Sequence, residues 1–247
     1  MELINIESRF LPKIALALPL QITSAIFVGK PSDVYPYPFS GYLFIKGSPA
    51  FESDWEPENF RINTGLIASF LKTLHTIPID SETRSQAPGD RIGRTNLKRR
   101  AAKIEERLWK HQAKLAEIDI ERLLKLVSYL SKTPPNQNPT CWVHGDLYPA
   151  HLMINESGVL CGVIDWGDMH LGDIALDLSI VFSFLPVSAH EEFKKSYGEI
   201  DVNCWSRARF TAIHYGAVLL DYGIDIKKCE LVEMAKRALM SGLDGSE

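Results

Sequence analysis

The stretch from Cys141 to Asp168 constrains this chain more than any other. It opens with the apolar lead-in Cys141-Trp142-Val143 and the turn His144-Gly145-Asp146. Two segments follow, 151–155 and 160–164, each apolar enough for a short strand. Glu156, Ser157 and Gly158 between them are turn formers. Strands joined that closely pair as an antiparallel hairpin, which sets the start of the first beside the end of the second. The pattern therefore predicts that His151, with Asp146 in the loop before it, lies close to Asp165. Carboxylates gathered in this way let one act as a base while another holds a metal. The plainer alternative is a surface hairpin with acidic ends.

The chain has 247 residues, enough for a sizeable core in one domain or two lobes. With 45% hydrophobic and 23% charged residues, its composition is that of a soluble globular protein. A net charge of -4 gives no reason to expect a nucleic-acid partner. The basic run Lys98-Arg99-Arg100, followed by Glu105 and Glu106, reads as a solvated helix face. No segment approaches the ~20 apolar residues of a membrane span, and no signal peptide is evident. Cys141, Cys161, Cys204 and Cys229 are far apart and fit no zinc pattern, so buried free thiols in a reducing cytoplasm are expected.

Residues 5–18 read as a helix bent by Pro12, and 21–28 and 42–46 as strands flanking a Pro-rich loop over 31–38. Apolar residues at helical spacing (Ile62, Leu66, Ile67, Phe70, Leu71, Leu74) predict a helix over 59–76. Residues 83–93 read as loop, 97–130 as long helices, and 131–140, with three prolines, as a connector. Further helices are predicted over 174–185, 205–222 and 228–240.

His144-Gly145-Asp146, Ile164-Asp165-Trp166 and the segment Gly172-Asp173-Ile174-Ala175-Leu176-Asp177-Leu178 resemble the aminoglycoside phosphotransferase family, and within it most closely the macrolide phosphotransferases. Tyr35 to Tyr42, Gly47 and the run from Phe70 to Pro78 add to the likeness. The resemblance implies an α+β, protein-kinase-like two-lobe fold with a truncated small lobe and a mainly helical large lobe. Residues 1–46 would be what is left of the nucleotide-binding lobe, and 47–247 the catalytic and substrate-binding lobe. It also implies transfer of the γ-phosphate of ATP or GTP, with Mg2+, to a hydroxyl of an antibiotic-like acceptor. A macrolide is favoured and an aminoglycoside comes next.

By this resemblance Asp146 is the catalytic base and Asp165 a metal ligand. His151 stands where most of the family has Asn as second metal ligand. Imidazole is a softer ligand than an amide oxygen, and the family's macrolide branch resembles this chain in having His there. His144, Gly145 and Asp177 would support the catalytic loop, and Glu7, Ile45 and Lys46 would face the nucleotide. Tyr148 departs from the usual loop wording. Trp205, Phe210, His214, Tyr215 and Tyr222 recur along helical stretches as pocket or core aromatics, and Asp221, Asp225, Glu230 and Glu233 offer an acidic lining. The substrate-binding residues and the oligomeric state stay open.

Only six residues precede Glu7, which leaves no room for a first hairpin, a Lys-bearing strand or a Gly-rich phosphate loop. Lys30 does not fit the Lys role. The expectation is a family member that starts at the helix after those strands, whose remaining strands carry an unpaired edge and an uncovered apolar face. The alternatives are a non-catalytic ligand-binding remnant of the family, or a metal hydrolase using His144, Asp146, His151 and Asp165.

Overall fold

A computed structural model describes residues 2–52, 57–137 and 141–245. Helix α1 (Glu2–Ala15) carries Pro12 and buries Phe10, Leu11 and Ile14. Strands β1 (Gln21–Ile22), β2 (Ala25–Gly29), β3 (Phe39–Tyr42) and β4 (Ser48–Pro49) follow. The sequence pattern placed the third of these over 42–46. Of those residues only Tyr42 is in the strand and 43–46 are irregular, because β3 takes its register from an antiparallel pairing with β2, Gly29 opposite Phe39.

Helix α2 (Pro57–Thr76) leads to α3 (Ser81–Gln86), where a loop was expected. The Asp80 carboxylate accepts from the Thr83 N–H and starts that extra turn of helix. Helices α4 (Leu97–Lys110) and α5 (Ile120–Leu130) are capped in the same way by Asn96 and Asp119. The connector is irregular as far as residue 137, and 138–140 lie outside the described residues. Next come β5 (Cys141–Val143), β6 (Leu152–Ile154), β7 (Leu160–Val163) and β8 (His170–Gly172). The chain then finishes with α6 (Ala175–Phe184), α7 (His190–Tyr197), α8 (Val202–Asp225) and α9 (Cys229–Asp244).

Strands β6 and β7 form the antiparallel hairpin, with Leu152 opposite Val163. They sit in a four-stranded sheet of order β1-β7-β6-β4, where β1 runs parallel to β7. A second short ladder pairs β5 with β8 and brackets the His144-Gly145-Asp146 turn.

Two apolar clusters hold these parts. One joins Phe10 and Leu11 of α1 to Leu71, Trp142, Trp166, Leu178 and Phe193. The other packs α4, α5 and α9 on Phe210, Ile213, Ala217 and Leu220 of α8. Trp205, Ala208 and Ala212 on another stripe of α8 belong to the first cluster, so this one helix spans both. No described helix is long and apolar enough to cross a membrane. The cysteines are free, but only Cys204 is buried and Cys229 is exposed, which corrects the expectation of buried thiols.

Candidate active site

The turn after β5 is fixed from several sides. Gly145 has φ 83, a left-handed conformation that glycine adopts without penalty. A Cβ there would meet the Asp168 carbonyl oxygen at 2.5 Å and the His170 ring at 2.9 Å. Asp177, fully buried in the first turn of α6, accepts the backbone N–H of His144 at 2.8 Å and of Gly145 at 2.9 Å. Burial alone would raise its carboxyl, but the His75 bond and the N–H donors hold it below the ordinary carboxylate value.

His75 Nε2 lies 3.1 Å from Asp177 Oδ2, and its Nδ1 lies 2.8 Å from the Tyr197 hydroxyl. A neutral ring that donates from Nε2 to Asp177 and accepts from Tyr197 satisfies all three groups. The buried His144 ring ties two strands together, with Nε2 2.9 Å from the Ile164 carbonyl and Nδ1 accepting from the Asp146 N–H at 3.4 Å. The Tyr215 hydroxyl donates to the Gly145 carbonyl at 3.1 Å.

This frame presents Asp146. Burial raises its carboxyl above the usual range, while the neighbouring His151, His144 and Arg94 pull the other way. Such a carboxylate is a stronger base than an exposed one, as proton acceptance from a hydroxyl requires. Tyr148, pushed up to about 12 by burial and by Asp146 and Asp165, keeps its proton beside them.

His151 ends the short turn Pro149–His151, and its Nδ1 lies 2.8 Å from the Asp146 carbonyl oxygen. A carbonyl only accepts, so Nδ1 carries the proton and Nε2 presents a lone pair when the ring is neutral. That nitrogen faces Asp165 Oδ2 at 3.4 Å. Two acceptors at this separation require a cation or a proton between them. Asp165 is exposed and has φ 62, a left-handed conformation uncommon outside glycine that is found where a side chain must be aimed. An exposed carboxylate and an imidazole nitrogen are a donor set that would hold a divalent cation, which would supply positive charge there. Among the described residues no group of three or more His, Cys, Asp or Glu gathers as a metal site, so these two would hold it as a pair.

Glu7 on α1 reaches the same region. Burial raises its carboxyl, the Tyr42 hydroxyl donates to it at 2.9 Å, and the charge of Asp165 raises it further. No cation pairs with Glu7 among the described residues. Ile45 is buried against Gly162 of β7, and the Lys46 carbonyl accepts from Cys161 Sγ at 3.4 Å. Glu7, His151, Asp146 and Asp165 thus converge, and Ile45 and Lys46 pack against β7 of the sheet that carries the hairpin. Asn155 turns back to accept from the Ser157 and Val159 N–H groups and stays out of the site.

Arg94 and Arg207 escaped sequence reasoning, which shows Tyr215 only as a pocket or core aromatic. Arg94 pairs with Asp168 at 2.7 Å, Tyr215 holds Gly145, and Arg207 binds the buried Asp173 at 2.6 Å at the entrance to α6. Each joins elements far apart in the chain, where no local spacing betrays the pairing. The pocket aromatics divide: Trp205 and Phe210 are core, Tyr222 is exposed, and Tyr215 bonds the Gly145 carbonyl of the His-Gly-Asp turn. The basic run is not wholly solvated either, since Arg99 and Arg100 bond the loop carbonyls of Ile92 and Gly93.

A small sheet carrying a His-Gly-Asp turn, set against a helical body, defines a kinase-like protein. The chain belongs to the phosphotransferase enzyme family (APH), whose model matches residues 2–211. The GDP and kanamycin complex of APH(2")-IIia shares its fold with a TM-score of 0.65 at 19% identity, over 98% of this chain and 82% of that one. The apoenzyme of macrolide 2'-phosphotransferase MphH from Brachybacterium faecium gives a TM-score of 0.57 at 19% identity, over 96% and 79%. Uncharacterized protein YcbJ of Bacillus subtilis (strain 168) is 24% identical over 89 residues, which are 36% of this chain and 28% of that protein's length.

Proposed function

We propose that this chain is a cytoplasmic small-molecule O-phosphotransferase that moves the γ-phosphoryl group of ATP or GTP to an acceptor hydroxyl. The observation that carries the reading is the clamped turn, which holds a raised Asp146 carboxyl beside His151 and Asp165. Asp146 takes the proton of the acceptor hydroxyl as the new O–P bond forms and the bond to the nucleoside diphosphate oxygen breaks. Asp165 and His151 hold the Mg2+, which when bound supplies charge neutralisation for the phosphates. The nucleotide lies between residues 1–46, with Glu7, Ile45 and Lys46, and the body formed by 47–247.

A macrolide is the favoured acceptor and an aminoglycoside the next. A polycation needs free acids, and Asp221 is already held by Lys110 at 2.5 Å and His111 at 2.7 Å, while Glu233 meets Lys236 at 3.4 Å. The absence of a cation partner for Glu7 among the described residues favours a second reading, a ligand-binding member without turnover. Incubation with labelled ATP or GTP, Mg2+ and a panel of both antibiotic classes separates the two. Label appearing in an acceptor supports transfer. Acceptor binding without label supports the second reading, and neither outcome for any panel member defeats both.

A further inference from the structure

Ile104 and Leu108 of α4 share a buried cluster with Ile213, Ala217 and Leu220 of α8. Beside that seam one stripe of α4 carries Arg100, Lys103 and Arg107, at i, i+3 and i+7. Like charges so placed repel one another unless anions sit among them. Arg107 has such a partner in Asp221, at 3.5 Å. Among the described residues Arg100 bonds only the Gly93 carbonyl, at 3.3 Å, and Lys103 pairs with no carboxylate. Burial lowers the Arg100 guanidinium, and the charge of Arg94 adds to this.

His214 of α8 faces the same stripe. It is 6% exposed, and its ring has no hydrogen-bond partner among the described residues. Burial, then the charges of Arg100, Arg107 and Lys103, lower it to about 3, so the ring is neutral. Its Nδ1 is closed off, whereas Nε2 keeps accessible surface, and a proton on Nε2 is presented outward. The next residue, Tyr215, donates to the Gly145 carbonyl at 3.1 Å. Burial and the charge of Asp146 raise that hydroxyl while Arg94 and Arg100 oppose them, so Asp146 and Arg100 both act on one group. A nearly buried N–H donor among cations, one residue from the anchor of the His-Gly-Asp turn, calls for an anion.

We propose that the groove between α4 and α8 binds the phosphate group of a phosphomonoester, held by Arg100, Lys103 and His214 Nε2. The assignment rests on the phosphotransferase reading, in which a neutral hydroxyl beside Asp146 becomes a phosphate carrying close to two negative charges. Asp146, Asp165 and Asp168 then all repel the product, and the groove offers it positive charge that no carboxylate has taken. Phosphate oxygens accept from guanidinium, ammonium and imidazole N–H groups together. The binding itself uses neither Asp146 nor Asp165.

Titration calorimetry on the full chain, without nucleotide or metal, tests this with glycerol 3-phosphate, inorganic phosphate and glycerol. Glycerol 3-phosphate is expected to bind once per chain, inorganic phosphate no tighter, and glycerol not at all. Lys103→Gln, at an exposed position, and His214→Phe should each weaken the ester about tenfold. Lys98→Gln, on the opposite side of α4, should leave it unchanged. Circular dichroism confirms folding. If His214→Phe does not fold, Arg100→Gln takes its place, again with about a tenfold loss. Ester binding in a protein that transfers no label upholds the groove and defeats the phosphotransferase reading. Label transfer without saturable ester heat overturns the groove alone. Wild-type affinity in Lys103→Gln, an equal loss in Lys98→Gln, or inorganic phosphate about tenfold tighter than the ester would also overturn it.

Discussion

The His-Gly-Asp turn and the β2–β3 hairpin treat their surroundings in opposite ways. Around His144 and Gly145, buried backbone groups find partners from three other parts of the chain: Asp177 on α6, Tyr215 on α8 and, through the His144 ring, Ile164 after β7. At the hairpin, Ile26 is 53% exposed, Phe27 69%, Val28 54% and Phe39 51%, so apolar side chains face out instead of filling a core. The turn is over-determined, and the loss of one partner leaves others buried and unpaired. The hairpin is held by its own ladder, and substitution on its outer face removes little. Sensitivity to mutation should therefore differ sharply between the two.

The largest break in that contrast comes from Asp177→Ala. It strands the His144 and Gly145 N–H groups and the His75 ring together, and is expected to cost about 3–5 kcal/mol in urea unfolding. Gly145→Ala follows at about 1–3 kcal/mol, because φ 83 and the contact with the Asp168 carbonyl both oppose a Cβ. A change below about 0.5 kcal/mol would show that the turn is not held as described.

A pH titration sharpens the same comparison. Burial lowers His190 from 6.5 to about 4. Burial, with nearby Arg100, Arg107 and Lys103, lowers His214 to about 3. As pH falls below 6.5 the unfolded chain takes up these protons first, so stability is full above 6.5 and declines progressively toward pH 4. Urea midpoints across that range check the slope. The smallest effect belongs to the hairpin. Phe27→Ser with Val28→Lys should change stability by less than about 0.5 kcal/mol yet lower light scattering from self-association.

The sequence made the hairpin legible because two short apolar runs around a tight turn pair antiparallel, and that pairing brings His151 toward Asp165. The long helices showed through their 3.6-residue spacing. What stayed hidden depends on contacts across the fold. Helix α7 carries only a weak apolar pattern, Phe193 and Tyr197 among charged residues. Residues 42–46 look strand-like, yet β3 ends at Tyr42 because its pairing partner β2 sets the register. Tyr215 and Arg207 sit on a helix whose core spacing looked ordinary, and their partners lie 70 and 34 residues away. His75 showed only as part of a family-like run, without its bond to Asp177.

The central claim is that Asp146 accepts the acceptor's proton, and Asp146→Asn tests it most directly. With labelled nucleotide and the best acceptor of the panel, the variant should fold with an unchanged urea midpoint. Its transfer should fall about 10²–10⁴-fold, and the acidic limb of the wild-type kcat/KM profile should lie above the ordinary carboxylate value of 3.8. A folded Asp146→Asn protein that transfers phosphate at the wild-type rate would contradict the account.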